Sequence, residues 1–159
     1  GGTCSVGIES TIIALTDGDP VILRPGAISP EALERAIGES VGPPGIHRTV
    51  RAPGMLASHY APETPLRLVH ADRLPALAAA LSAEGKRVAV MALSGCRSET
   101  GKTVAMPSYP AAYGHDLYAV IRTLDDGQHD VILAERPPRT APWLAVNDRL
   151  QRACGGNAD

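Results

Sequence analysis

Arg24 closes a short apolar run, Val21-Ile22-Leu23-Arg24, directly before Pro25-Gly26. A guanidinium there offers five donors in a planar fork that suits a carboxylate or phosphate, and a glycine two residues on allows close backbone approach. The competing assignment is a surface salt bridge from Arg24 to Glu9 or Glu31. Ser10 and Thr11 are the polar pair in an otherwise apolar, β-branched stretch from Ile8 to Leu15. Adjacent strand residues point to opposite faces, so at most one of the two hydroxyls meets a ligand directly; the alternative is a solvent-facing pair. His59-Tyr60 sits in a proline-rich segment, either as a lid over a site or as an aromatic ring docked on a neighbour. Glu135 ends the run Ile132-Leu133-Ala134 and is either a site carboxylate or a solvated charge. Asp17-Gly18-Asp19 has the side chains of a metal loop but reads more simply as a hairpin turn. Cys4, Cys96 and Cys154 show no metal-ligand spacing and read as buried or incidental. No Ser-His-Asp triad follows from spacing, no carboxylate pair stands out, and no glycine-rich phosphate fingerprint occurs. No catalytic residue is assigned on this basis.

Composition bounds what these residues can serve. The 159 residues suit one domain, or one small domain with a piece of another. Hydrophobic residues make up 44% and aromatic residues only 3%, with no Phe, so the core must be aliphatic. A net charge of −2 excludes a nucleic-acid module working by bulk positive charge, and no strong direct nucleic-acid binding is expected. No apolar run approaches the roughly 20 residues that span a bilayer, and no signal-peptide pattern is present, so a cytoplasmic protein is expected. The odd number of cysteines fits a reducing compartment.

Three units are expected to position the candidate residues. The chain opens Gly1-Gly2-Thr3-Cys4, without Met, and runs straight into strand-like sequence. Residues 1–38 read as a strand over 8–15, a turn at 16–20, a strand over 21–24 and a short helix. That helix is signalled by Ser29 as cap, Pro30 in the first turn, Glu31 beside it and Gly38 as stop. Such a piece is too small to close its own core, so it is expected to be the tail of a larger α/β domain. Its exposed apolar sheet leaves self-association open. Residues 39–65 hold Pro43, Pro44, Pro53, Pro62 and Pro65 and read as an extended, semi-rigid linker that docks on something. Residues 66–159 alternate strand and helix patterns. Leu66–Val69 is a strand, and Asp72 would cap a helix bearing Leu74, Leu77, Ala78 and Leu81. The run 87–93 is a strand covered on both faces, and 103–106 is a shorter one. A helix near 110–125 carries the stripe Tyr113, Leu117, Ile121, Leu124. A strand at 130–134 and a last helix at 143–153 complete a doubly wound, mostly parallel, Rossmann-like α/β unit. Ligands in such sheets favour the carboxyl ends of the strands, here Ser94-Gly95-Cys96 and Glu135.

Three ordered segments resemble one family. Gly7-Ile8-Glu9-Ser10-Thr11-Ile12, with Ile22-Leu23-Arg24-Pro25-Gly26-Ala27-Ile28-Ser29, resembles the rear half of the YrdC-like catalytic domain of the threonylcarbamoyl-AMP synthase family. Pro53-Gly54-Met55-Leu56-Ala57-Ser58-His59-Tyr60-Ala61-Pro62 resembles the linker of its two-domain form. Ile132-Leu133-Ala134-Glu135 and Val146-Asn147-Asp148-Arg149-Leu150 resemble its accessory carboxyl-terminal domain. The resemblance implies a nucleotidyltransferase. It would condense L-threonine, bicarbonate and ATP, with Mg²⁺, into threonylcarbamoyl-AMP and pyrophosphate, for partner proteins that modify tRNA. It further implies that Ser10 or Thr11 lines the threonine and nucleotide pocket and that Arg24 neutralises phosphate or adenylate charge. The linker would bring Tyr60 and His59 over the substrates. The family's front half supplies further nucleotide-binding groups, whereas Lys86 and Lys102, the only lysines here, lie in the second unit. This chain alone is therefore expected to be inactive. A non-catalytic, nucleotide- or partner-binding regulatory module is the alternative. A related carbamoyl- or acyl-transferase would instead work without threonine.

Overall fold

A computed structural model describes residues 6–15, 18–43, 61–93, 95 and 101–155. Cys4, Asp17, His59, Tyr60, Ser94 and Cys96 lie outside the described residues.

The front of the chain forms a two-stranded antiparallel ribbon, β1 (Ile12–Ala14) against β2 (Val21–Arg24). The strand expected over 8–15 is only three residues long. Side chains replace the ladder before Ile12: the Ser10 carbonyl accepts from Arg24, and the Thr11 hydroxyl bonds Ile28. Helix α1 (Pro30–Ile37) begins and ends as its sequence spells. Ser29 Oγ accepts from the Ala32 amide at 3.3 Å, and Gly38 ends the helix in the left-handed conformation, φ 82°. Gly42 then runs beside Val21 in a parallel bridge, its amide donating to the Pro20 carbonyl at 2.7 Å.

The rest builds a four-stranded, all-parallel sheet in the order β3-β6-β4-β5. The strands are β3 (Leu66–Val69), β4 (Val88–Ala92), β5 (Lys102–Ala105) and β6 (Val131–Glu135). Central β4 and β6 are buried throughout, as a strand covered on both faces must be. Alternation sends Val88, Val90 and Ala92 to one face, where they meet Leu74 and Ala78 of α2 (Leu74–Ala83). Ala89 and Met91 go to the other. There α3 (Pro110–Leu124) lays down Tyr113, Leu117, Ile121 and Leu124, joined by Val146 and Leu150 of α4 (Leu144–Ala153). Helices on both faces make this the doubly wound α/β architecture expected. The core is aliphatic apart from Tyr113 and Trp143, whose rings meet edge to face at 5.5 Å. Asp72 does not cap α2. A turn precedes that helix, and the His70 carbonyl accepts the Arg73 and Leu74 amides, each at 3.0 Å, so the backbone does the work assigned to the side chain.

Two carboxylates staple loops to this sheet. Asp130 accepts from the Arg87 amide at 2.8 Å and from its guanidinium at 2.7 Å, tying the entry to β4 to that of β6. The Arg87 side chain holds the Asp130 carboxyl well below the usual range. Burial acts to raise Asp125, but amides donated by Thr64 (2.8 Å) and Glu63 (3.0 Å) outweigh it and the net shift is downward. A depressed folded-state pKa adds stability that is fully present above the unfolded value of about 3.9 and lost as pH falls below it. Thermal unfolding should therefore show a plateau above pH 5 and a falling melting temperature below about pH 4. The fall should be shallower in Asp130→Asn.

Candidate functional site

Arg24 stands at the end of β2, yet it is only 7% exposed. Its Nε and Nη2 donate to the Ser10 carbonyl at 3.2 and 3.1 Å, and Nη2 lies 3.5 Å from Ser10 Oγ. The salt bridge to Glu9 or Glu31 is not what holds it. Glu9 pairs with Arg149 instead, and Glu31 sits in the first turn of α1, its carboxyl lowered first by the Ser29 hydroxyl. Thr11 Oγ1 donates to the Ile28 carbonyl at 3.0 Å and accepts from the Ile28 amide at 3.2 Å, so its hydroxyl is committed to the fold. Ser10 is exposed beside the guanidinium. Of the two hydroxyls, that of Thr11 is taken up by Ile28, and Ser10 is the exposed residue.

Gly26 locks these pieces together. A Cβ there would lie 2.2 Å from Thr11 N and 2.5 Å from Ser10 C. The close approach expected at this glycine is made by the chain's own backbone. Three independent contacts, Arg24 to Ser10, Thr11 to Ile28 and Gly26 against both, fix the segment 9–11 on the corner 24–28.

A buried cation that sequence reasoning missed backs this corner. Arg149, on α4, is 2% exposed. Its Nε donates to Glu9 Oε2 at 2.6 Å, its Nη2 to the Pro25 carbonyl at 3.0 Å, and its Nη1 to Asp148 at 2.5 Å. Arg152 bonds the same Asp148 at 2.9 and 2.8 Å, so that among the described residues carboxylates and guanidiniums alternate along Glu9, Arg149, Asp148 and Arg152. Burial opposes the charge on Arg149, but Glu9 and Asp148 outweigh it and raise its pKa. The signal was available: Val146, Arg149, Leu150 and Ala153 fall at i, i+3, i+4 and i+7, which puts an arginine in the inward stripe of a helix.

Between this corner and the helical layer lies a cleft of ≈ 660 Å³, walled by Ile8, Pro25, Ile28, Pro110, Pro142 and Val146 among others. Neither Ser10 nor Arg24 lines it. Its walls are mainly apolar, with Ser29, Glu31 and Tyr109 as the polar side chains among them.

At the far sheet the candidates resolve differently. Glu135 is buried, not solvated, and its Oε2 accepts the Leu93 amide at 2.7 Å, joining the carboxyl ends of β6 and β4. Tyr113 Oη is buried without a hydrogen-bond partner among the described residues; burial first, then Glu135, pushes its acidity out of the ordinary range. The Cys154 thiol is buried, as expected, and burial pushes it up to about 11. Thiolate is the reactive form, so Cys154 should resist alkylation at pH 8 in the folded protein and react once it is unfolded. Peptide mapping after a timed pulse of iodoacetamide checks this. Among the described residues, no group of three His, Cys, Asp or Glu side chains could hold a metal ion, and no helix is long and apolar enough to cross a membrane.

Comparison with known proteins places this architecture. Residues 28–155 match the family described as threonylcarbamoyl-AMP synthase, C-terminal domain, and the chain belongs to that family. A threonylcarbamoyl-AMP synthase of Pyrococcus abyssi (strain GE5 / Orsay) is 34% identical over 169 residues, covering 98% of this chain and 48% of the relative. The Bacillus subtilis (strain 168) protein of the same name is 32% identical, with the same coverages. The chain thus spans about half the length of the curated relatives it matches. The crystal structure of P. abyssi Sua5 complexed with L-threonine aligns at a TM-score of 0.86 and 33% identity, over 99% of this chain and 49% of that one. A second structure of that protein, with an adjacent His-Tyr pair changed to alanine, aligns at 0.82 and 28%, over 97% and 47%.

Proposed function

We propose that this chain is the rear portion of an L-threonylcarbamoyladenylate synthase, a cytoplasmic nucleotidyltransferase serving tRNA threonylcarbamoyladenosine modification. Residues 1–38 would complete the catalytic domain, 39–65 the linker and 66–159 the accessory domain. The observation that carries the reading is the buried Arg24 fork fixed against exposed Ser10. A guanidinium already desolvated and immobilised stabilises developing phosphate charge without reorganising during the reaction.

In this scheme the amine of L-threonine captures bicarbonate as a carbamate, with loss of water. A carbamate oxygen then attacks the α-phosphorus of ATP, and pyrophosphate leaves. Phosphoryl chemistry of this kind asks the protein for position and positive charge rather than a covalent partner. Ser10 would hydrogen-bond substrate, and Arg24 would face the phosphate. Thr11 acts beneath them by holding Ile28. Both carbamate and acyl-adenylate hydrolyse readily, so the site must exclude water. His59 and Tyr60 are proposed as substrate-facing. They are the single His-Tyr pair in this sequence, and such a pair was the one altered in the archaeal relative. Mg²⁺ would arrive with the nucleotide's phosphates, as it commonly does. Partner proteins would pass the threonylcarbamoyl group to tRNA.

The test is pyrophosphate release with ATP, bicarbonate and L-threonine, using the protein encoded from upstream of Gly1 at the length of its relatives. Turnover should require all three substrates, and residues 1–159 alone should show none. Turnover without threonine would favour a carbamoyl- or acyl-transferase. No turnover at full length would leave the regulatory-module reading.

A further inference from the structure

We infer that Arg149, on a helix of the accessory sheet unit, is a positioning residue for the Ser10–Arg24 site. The inference rests on the reading of Ser10 and Arg24 as substrate-facing. Arg149 does not touch that site. It grips the residue next to each member: Glu9 precedes Ser10, and Pro25 follows Arg24. Its two bonds, 2.6 Å to the Glu9 carboxylate and 3.0 Å to the Pro25 carbonyl, span the same two chain segments that Arg24 itself bridges through the Ser10 carbonyl. The segments are therefore cross-braced, by one guanidinium within the front unit and by another reaching in from α4.

The chemistry of the brace fits positioning better than bulk adhesion. An arginine fork satisfies three acceptors in fixed directions, which lysine cannot reproduce. The Pro25 carbonyl follows β2 and faces α4, where Arg149 is its donor. Asp148, itself held by Arg152, accepts from Arg149 Nη1, so the fork has little freedom to follow a shifting partner. Tyr118 Oη, 3.5 Å from Glu9 Oε2, flanks the same carboxylate. Small displacements of reacting groups are costly in catalysis, so a brace one residue away from two binding groups acts on substrate affinity.

The test separates this from simple stabilisation. In the full-length synthase, Arg149→Met takes the cation away from half-buried Glu9. It should raise KM for L-threonine at least tenfold, while kcat should fall by less than the loss of Arg24 itself would cause. Glu9→Gln with Arg149→Met removes the carboxylate charge together with its cation and should restore the melting temperature, yet KM should stay raised. Arg149→Lys should recover KM only in part. An unchanged KM in Arg149→Met, or a KM that returns together with the melting temperature in the double variant, overturns the inference. A second readout needs no enzyme activity. In residues 1–159, the Arg24 Nε–H signal should exchange with water at least tenfold faster in the double variant than in the unsubstituted chain. Unchanged exchange overturns the brace. Faster exchange in a protein whose full-length form has no synthase activity supports the brace and sinks the synthase reading instead.

Discussion

Replacing Arg24 by alanine in the full-length protein should, under the proposed synthase reading, lower kcat for threonine-dependent pyrophosphate release by about 100- to 1000-fold, the usual cost of losing one preorganised charge stabiliser. The guanidinium is nearly sheathed in protein, so its charge acts across less water than a surface arginine's would. The same substitution removes both donors to the Ser10 carbonyl, and the exposed serine loses its anchor. Arg24→Lys should recover little, because an ammonium cannot hold the Ser10 carbonyl through two nitrogens while facing a phosphate. Steady-state kinetics at saturating ATP check the effect, with circular dichroism to show that the sheet unit is intact. Activity within threefold of the unsubstituted enzyme would remove Arg24 from the site.

Gly26→Ala should be nearly as damaging through sterics alone. The added carbon would fall 2.2 Å from Thr11 N, 2.5 Å from Ser10 C and 2.6 Å from Glu9 O, all backbone atoms that cannot rotate aside. Relief requires the corner 24–28 to move off the segment 9–11, which breaks the Thr11–Ile28 pair and misaligns Arg24. Overpacking of this kind costs about 1–3 kcal/mol, and more where backbone must shift. The expected result is at least a 100-fold loss of kcat/KM, with the melting temperature lowered by roughly 2–4 °C for each kcal/mol, as for a domain of this size. Gly18→Ala, where nothing lies within 4 Å of the new carbon, is the control and should be silent.

What the sequence made legible was local. Ser29, Pro30, Glu31 and Gly38 specify α1 because capping acts within a few residues of each end. The stripe on α3 and the unbroken apolar run of β4 follow from periodicity, and together they imply helices on both faces of a parallel sheet. The rest depends on neighbours far along the chain. β1 is short because Arg24, 14 residues away, takes the Ser10 carbonyl that would extend the ladder, while Ile28, 17 residues away, is tied to the Thr11 hydroxyl. Glu135 could not be told from a solvated charge until the Leu93 amide was seen against it. Arg149 reaches a carboxylate 140 positions earlier, and only its place on an inward helical stripe hints that it must find one. Asp72 shows the converse: a competent cap is unused when a backbone turn has already satisfied the amides.

The strand order has a consequence for how the protein is made. The sixth strand lies between the third and the fourth, and among the described residues the third has no other neighbour in its sheet. On the ribosome, β3 therefore emerges before its partner β6 and waits for that pairing until synthesis has passed residue 135. The helix bearing Arg149 is made later still. Strands β1 and β2 gain the Arg149 clamp only when α4 arrives, so the order of translation places this long-range closure after the last strand of the parallel sheet has been made.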